Sequence, residues 1–139
     1  MRLATIGDMD DILRMGKSFA DALNEESDVE SIEDTAINLI ENDIGVLLIE
    51  DHAMAGALVV PNFFDINRLI ATELFWWVDE EARGNGAGKR LLNGLESWAL
   101  SKGAERLSMI AMDALSESVG HLYEKSGYRK FETSYVRKF

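Results

Sequence analysis

The chain has 139 residues, 47% of them hydrophobic, a formal charge of −11 and no cysteine. That length fits one domain, residues 1–139, burying roughly two-thirds of its unfolded surface. The absence of cysteine excludes disulfides, thiol catalysis and thiolate metal sites, and His52 and His121 are too few for a multi-histidine cluster, so no metal is expected.

Met1-Arg2-Leu3 leads directly into polar and acidic residues, unlike a secretory leader, and no apolar run nears the ~20 residues of a membrane span. A cytoplasmic location without a membrane partner is therefore expected. Residues 2–5 read as a short strand, and Gly7-Asp8 opens a helix with Ile12, Met15, Phe19 and Leu23 at three- and four-residue steps. A polar break at 24–28 precedes a second helix over about 32–41, with Ile32, Ala36, Leu39 and Ile40 on one side. Strands are expected over 46–50 and 56–60. The second stops near Pro61, which cannot donate to an interior ladder.

A loop over 62–67 leads to a fourth strand at 70–78. A long helix over 88–102 ends at Gly103, a left-handed cap. Then come a strand at 106–112, a helix at 116–126 capped by Gly127, and a last strand from 128 to about 137.

Charge is unevenly spread. Residues 18–67 hold twelve Asp and Glu and no Lys or Arg, so that stretch carries −12. It reads either as a solvated surface that aids solubility or as a field that draws in cations. Nucleic acid is disfavoured as a partner, because no basic face is present to meet a phosphate backbone.

The densest signal is Trp77-Val78-Asp79-Glu80-Glu81-Ala82-Arg83-Gly84-Asn85-Gly86-Ala87-Gly88-Lys89-Arg90. An apolar strand runs into a short acidic loop, then a glycine-rich turn, then a helix. Glycines let the backbone turn sharply and approach a ligand closely. The helix's first amides lack intrahelical partners, and its dipole places about half a positive charge there, so a phosphate or pyrophosphate suits the turn. A Walker A loop fails, because Arg83 stands where its first glycine belongs and Arg90 replaces the Ser or Thr after Gly88-Lys89. A dinucleotide fingerprint fails too, since its third glycine falls on Lys89 or Leu91.

Arg83, Gly86 and Gly88 meet the pattern Arg/Gln-x-x-Gly-x-Gly/Ala, which resembles the acyl-CoA loop of the GNAT (Gcn5-related N-acetyltransferase) superfamily. Leu122-Tyr123-Glu124-Lys125-Ser126-Gly127-Tyr128 is similar to that family's second signature, Tyr-x-x-x-Gly-aromatic. The resemblance runs from about Arg2 to the C-terminus. It implies an α/β, mixed and mostly antiparallel sheet with parallel, splayed fourth and fifth strands and helices on both faces. Two strands often finish such domains, whereas only one and a stub fit before Phe139. Small members of this compact type look similar to bacteriophage-encoded acetyltransferases.

The resemblance further implies an N-acetyltransferase that moves an acetyl group from acetyl-CoA, its cosubstrate, to a small-molecule or peptide amine by direct attack in a ternary complex. The amides of Gly84, Asn85, Gly86, Ala87, Gly88 and Lys89, next to Arg83, would hold the pyrophosphate. Backbone near Trp77 and Val78 would meet the thioester and pantetheine. Tyr123 matches the family's general acid, and a phenol near pKa ~10 suits protonation of a thiolate near ~8.5. Ser116, seven residues before Tyr123, stands where many relatives carry a cofactor-contacting Asn, or it simply caps its helix.

For the base, Glu73 is the candidate from the residues themselves, a carboxylate inside an apolar strand. Strict alternation would put Glu73, Phe75 and Trp77 on one face, where apolar surroundings raise a carboxyl's pKa. A salt-bridged or edge-exposed Glu73, with water as base, is the alternative. Alternation also separates Trp76 from Trp77. One packs in the core and the other walls the acceptor site or a subunit contact, as in a homodimer. A non-catalytic acyl-CoA-binding sensor or interaction module is the competing function.

Overall fold

The computed structural model describes residues 1–112 and 116–139. They divide into two compact units, Met1–Met109 and Ile110–Phe139. In the first unit the order is β1 (Arg2–Leu3), a 3-10 turn (Ile6–Asp8), α1 (Met9–Ala22), α2 (Val29–Glu41), β2 (Gly45–Glu50), β3 (Ala53–Asn62) and β4 (Asp65–Val78). A second 3-10 turn (Glu80–Ala82), α3 (Ala87–Ser101) and β5 (Ala104–Ser108) complete it. The five strands lie in the order β1-β2-β3-β4-β5, antiparallel except for the parallel pair β4–β5. This is the mixed sheet that the resemblance implied.

Helices cover both faces. Ile12 and Met15 of α1 and Ala36 and Leu39 of α2 pack on Leu47, Ile49, Met54 and Trp77. On the opposite face Leu91 and Leu95 of α3 meet Val46, Leu48 and the small run Ala53, Ala55 and Ala57. The alanines keep that face of β3 flat, so the helix lies close to it. At Gly56, on the other face, an added Cβ would come 2.6 Å from the Phe75 ring, so only glycine lets that ring cross the strand. Trp76 and Trp77 do fall on opposite faces, Trp77 stacking on Phe19 with ring centroids 5.4 Å apart.

Three boundaries move for local reasons. α2 starts at Val29 because the Asp28 carboxylate accepts the Ser31 amide at 2.9 Å, an N-cap that precedes the apolar stripe. β4 starts at Asp65, since Asn62 pairs with Asp65 across a two-residue hairpin, and the Asn62 side chain accepts the Phe64 amide at 3.0 Å. β3 also runs through Pro61. There β2 has already ended, at the pair Gly45 and Leu58, so no β2 neighbour needs the missing N–H. β5 is shorter than expected and stops at Ser108.

The second unit contains α4 (Ser116–Lys125), closed by Gly127 at φ +90 as Gly103 closes α3 at φ +74. The expected strand over 128–137 does not form. Tyr128, Phe131, Tyr135, Val136 and Phe139 are spaced by three, four, one and three residues, which is not the alternation that gives a strand one apolar face. Among the described residues, no helix is long and apolar enough to cross a membrane.

Candidate active site

A single extra residue shapes the site. On β3, Gly56 and Ala57 are consecutive, yet they face Phe75 and Glu73, so Leu74 is a bulge in β4. Cross-strand partners share a face. Val78 and Trp76 therefore join Ala53 and Ala55 on the α3 side, and Glu73 joins Ala57 there. Phe75 and Trp77 lie on the α1–α2 side. This corrects the alternation expected from sequence: Glu73 shares no face with Phe75 and Trp77, because the bulge shifts the phase of the strand by one. Glu73 is nonetheless buried, at 6% exposure.

β5 pairs with β4 only from Leu69 to Thr72, while β4 runs on to Val78. Pairing thus ends just before the bulge. The Asp79 amide donates to His52 O at 2.8 Å, on the β3 side. Neighbouring residues of a strand present their backbone groups to opposite edges, so Val78 N–H and C=O face away from β3. In agreement, Arg83 Nε donates to Val78 O at 3.1 Å. The end of β4 and the glycine turn are thereby joined on that edge.

The turn has the geometry its glycines imply. Gly84 and Gly86 adopt φ +88 and +87, the left-handed region that a side chain disfavours. The Arg90 amide makes the first α-helical bond of α3, to Gly86 O at 3.0 Å, and the Gly88 amide ahead of it aims out of the helix end. Asn85 Oδ1 accepts the Ala87 amide at 2.9 Å, so that donor of the expected set is already used. The Arg83 guanidinium lies 5.1 Å over the Trp77 ring. A Cβ on Gly88 would sit 3.1 Å from Trp76, which shows how closely the helix start rests on the end of β4.

Asp79, given no role from sequence, is a hub beneath this turn. It is 4% exposed; Oδ1 accepts Trp77 Nε1 at 2.8 Å, and Oδ2 lies 2.7 Å from Arg14 Nη1 and 3.2 Å from His52 Nδ1. Burial pushes its carboxyl pKa up, but Trp77, Arg14 and His52 together outweigh that and hold it below the ordinary value. Ligand atoms of His52, Asp79 and Glu81 lie within 4.8 Å of one another, yet the Arg14 guanidinium already occupies Asp79 and opposes a cation there. The sequence signal for this hub was slight: Asp79 lies two residues after Trp77, just past the end of β4, but Arg14 is 65 residues away.

Removing this charge has a signed consequence. A depressed carboxylate pKa stabilises the fold above the unfolded value and loses that contribution as pH falls through the folded one. Asp79→Asn is expected to cost about 1–3 kcal/mol at neutral pH, with the gap to wild type closing below about pH 4. Urea midpoints measured from pH 7 to 3 check both parts.

Glu73, Trp77, Val78 and residues 83–89 all belong to the first unit, on β4, the turn and α3. In the second unit Ser116 is the first residue of α4. Tyr123 is buried, its hydroxyl donates to Ile110 O at 2.8 Å, and its ring lies 5.6 Å from that of Tyr128. His121 is exposed.

The family model described as "Acetyltransferase (GNAT) family" matches residues 12–128. A sequence comparison with curated proteins returns no significant match. Among solved structures the chain is similar to a transcriptional regulator from Bacillus halodurans C-125, at TM-score 0.80 and 18% identity over 99% of this chain and 97% of that one. It is also similar to a ribosomal-protein-alanine N-acetyltransferase from Brucella melitensis biovar Abortus 2308, at TM-score 0.73 and 18% identity over 99% and 96%. An aminoglycoside acetyltransferase from an uncultured soil metagenomic sample, in complex with sisomicin, matches at TM-score 0.66 and 15% identity over 96% and 89%. At these identities the likeness is one of fold.

Proposed function

This chain belongs to the GNAT family of acetyltransferases, and from that premise we propose that it transfers an acetyl group from acetyl-CoA to an amine acceptor within a ternary complex. One observation carries the reading: the left-handed glycine turn at the start of α3 is joined to the edge of β4 where pairing with β5 has stopped. A pyrophosphate suits the first, and an extended chain carrying amides suits the second. The family match, over residues 12–128, includes parts of both compact units.

Acetyl-CoA supplies an acyl carbon activated as a thioester. The amides of Gly84, Gly86, Gly88 and Lys89, with the charge of Arg83 and Lys89 beside them, bind the pyrophosphate. Ala87 can join only if Asn85 releases its amide. The Val78 amide, turned away from β3, stabilises the oxygen that gains charge as the acceptor nitrogen attacks. The new N–C bond forms and the C–S bond breaks. Glu73 or water takes the proton from the amine, and Tyr123 protonates the departing thiolate.

The acceptor is assigned as cationic. Residues 25–34 carry six carboxylates and no basic residue, and Glu25, Glu26, Asp28, Glu30 and Asp34 are exposed. The soil-metagenome protein of similar fold is named an aminoglycoside acetyltransferase, in complex with sisomicin. A field of this sign raises the encounter rate of cations and weakens as salt screens it. The value of kcat/KM is expected to be higher for cationic than for matched neutral amines, and to fall several-fold between low and high ionic strength. Flat salt dependence, or a preference for neutral amines, would leave the acidic stretch as a solubility feature.

One observation favours a binding module without catalysis: the Tyr123 proton is already given to Ile110 O. Transfer to a mixed amine panel, compared with CoA binding alone, separates the two readings.

A further inference from the structure

Two positive-φ glycines flank Asn85, so steric limits alone leave the peptides around it free to rotate. Something else must set the direction of the amides there. Arg90, in the first turn of α3, donates from Nη1 to Asn85 O at 3.0 Å. Its other donors are held by Glu50 at the end of β2, Nη2 to Oε1 at 2.6 Å and Nε to Oε2 at 3.1 Å. The Glu50 side chain is 12% exposed and rides on a strand paired along its whole length with β3, so it is a fixed anchor. Arg90 is the leading cause that lowers the Glu50 pKa, and Glu50 is the leading cause that raises that of Arg90.

A peptide group is planar and trans, so its carbonyl and amide point in opposite directions. Fixing Asn85 C=O toward Arg90 therefore fixes Gly86 N–H on the side away from it. The guanidinium also lies so near the turn that a Cβ on Gly86 would come 2.9 Å from Arg90 Nη1. A cation in the first turn of a helix opposes the dipole. Glu50 offsets that cost by pairing with the guanidinium.

We propose that Glu50 and Arg90 form a positioning pair that presets the Gly86 amide toward the CoA pyrophosphate, with Arg90 bracing the turn rather than meeting the phosphates. The proposal rests on the acetyl-transfer reading. Both side chains act through the turn and belong to no catalytic group.

The test uses the whole chain with CoA as probe, in wild type, Glu50→Gln, Arg90→Met and the double variant, with Arg90→Lys in reserve should Arg90→Met fail to fold. CoA affinity by calorimetry and KM for acetyl-CoA are expected to weaken roughly tenfold in each single variant, the scale of one charge-assisted hydrogen bond. The double variant should weaken no further than either single one, because the two residues act as a unit, and kcat should stay within about twofold. In the ligand-free protein, the 15N–1H resonances of Asn85 and Gly86 should shift or broaden in Glu50→Gln. Wild-type affinity with unmoved resonances in Glu50→Gln overturns the brace. So does additive loss in the double variant, which marks Arg90 as a phosphate ligand. Failure of wild type to bind CoA at all overturns the acetyl-transfer reading and the brace with it.

Discussion

Gly86→Val is expected to weaken CoA binding by at least about a hundredfold while the sheet and helices persist. Gly86 sits at φ +87, ψ 0, where a left-handed backbone costs an ordinary residue roughly 1–2 kcal/mol and a β-branched one more. The added Cβ also meets the Arg90 guanidinium at 2.9 Å. The turn must escape this conformation, and its amides then lose their common aim. Gly86 is exposed and outside the core, so the loss falls on the ligand site and not on packing. Calorimetric titration with CoA, paired with a circular-dichroism melt, measures the two separately. Unchanged affinity would remove the phosphate from this turn.

Tyr123→Phe is expected to lower kcat by roughly ten- to ten-thousand-fold with little change in acetyl-CoA affinity, the range of a general acid. Losing the bond to Ile110 O costs about 1 kcal/mol of stability at the same time. That magnitude alone cannot account for a large drop in turnover, so a melt of the variant separates structure from chemistry. With the chemical step made rate-limiting by a poor acceptor, full turnover in the variant would assign Tyr123 to structure and the proton to water.

The glycine turn was legible in the sequence because its conformation is a property of the residues themselves. Gly84, Gly86 and Gly103 adopt a positive φ that glycine reaches without the steric cost other residues meet. Helix faces were legible for a similar reason, since Ile12, Met15, Ala36 and Leu39 follow a helical period and are buried together. Glu73 was placed on the wrong face because a bulge leaves no mark on composition; its evidence is the register with Ala57 on a neighbouring strand. Asp79 and Glu50 were missed as supports for a related reason. Their partners Arg14 and Arg90 come from elements remote in the chain, so the pairs exist only once the sheet is assembled. The last strand was expected over 128 to about 137, against spacing that does not alternate.

Leu74 has a consequence of its own. Because it has no counterpart on β3 between two paired neighbours, deleting it in thought leaves Glu73 facing Ala57 and Phe75 facing Gly56, as before. Every other side chain keeps its face and every core contact its partner. What changes is the local bend of β4, just beyond its last pair with β5, Thr72 and Ser108. That bend is therefore separable from the fold that contains it. A lineage could bend or straighten such a strand by gaining or losing one codon, with the hydrophobic pattern on either side left intact.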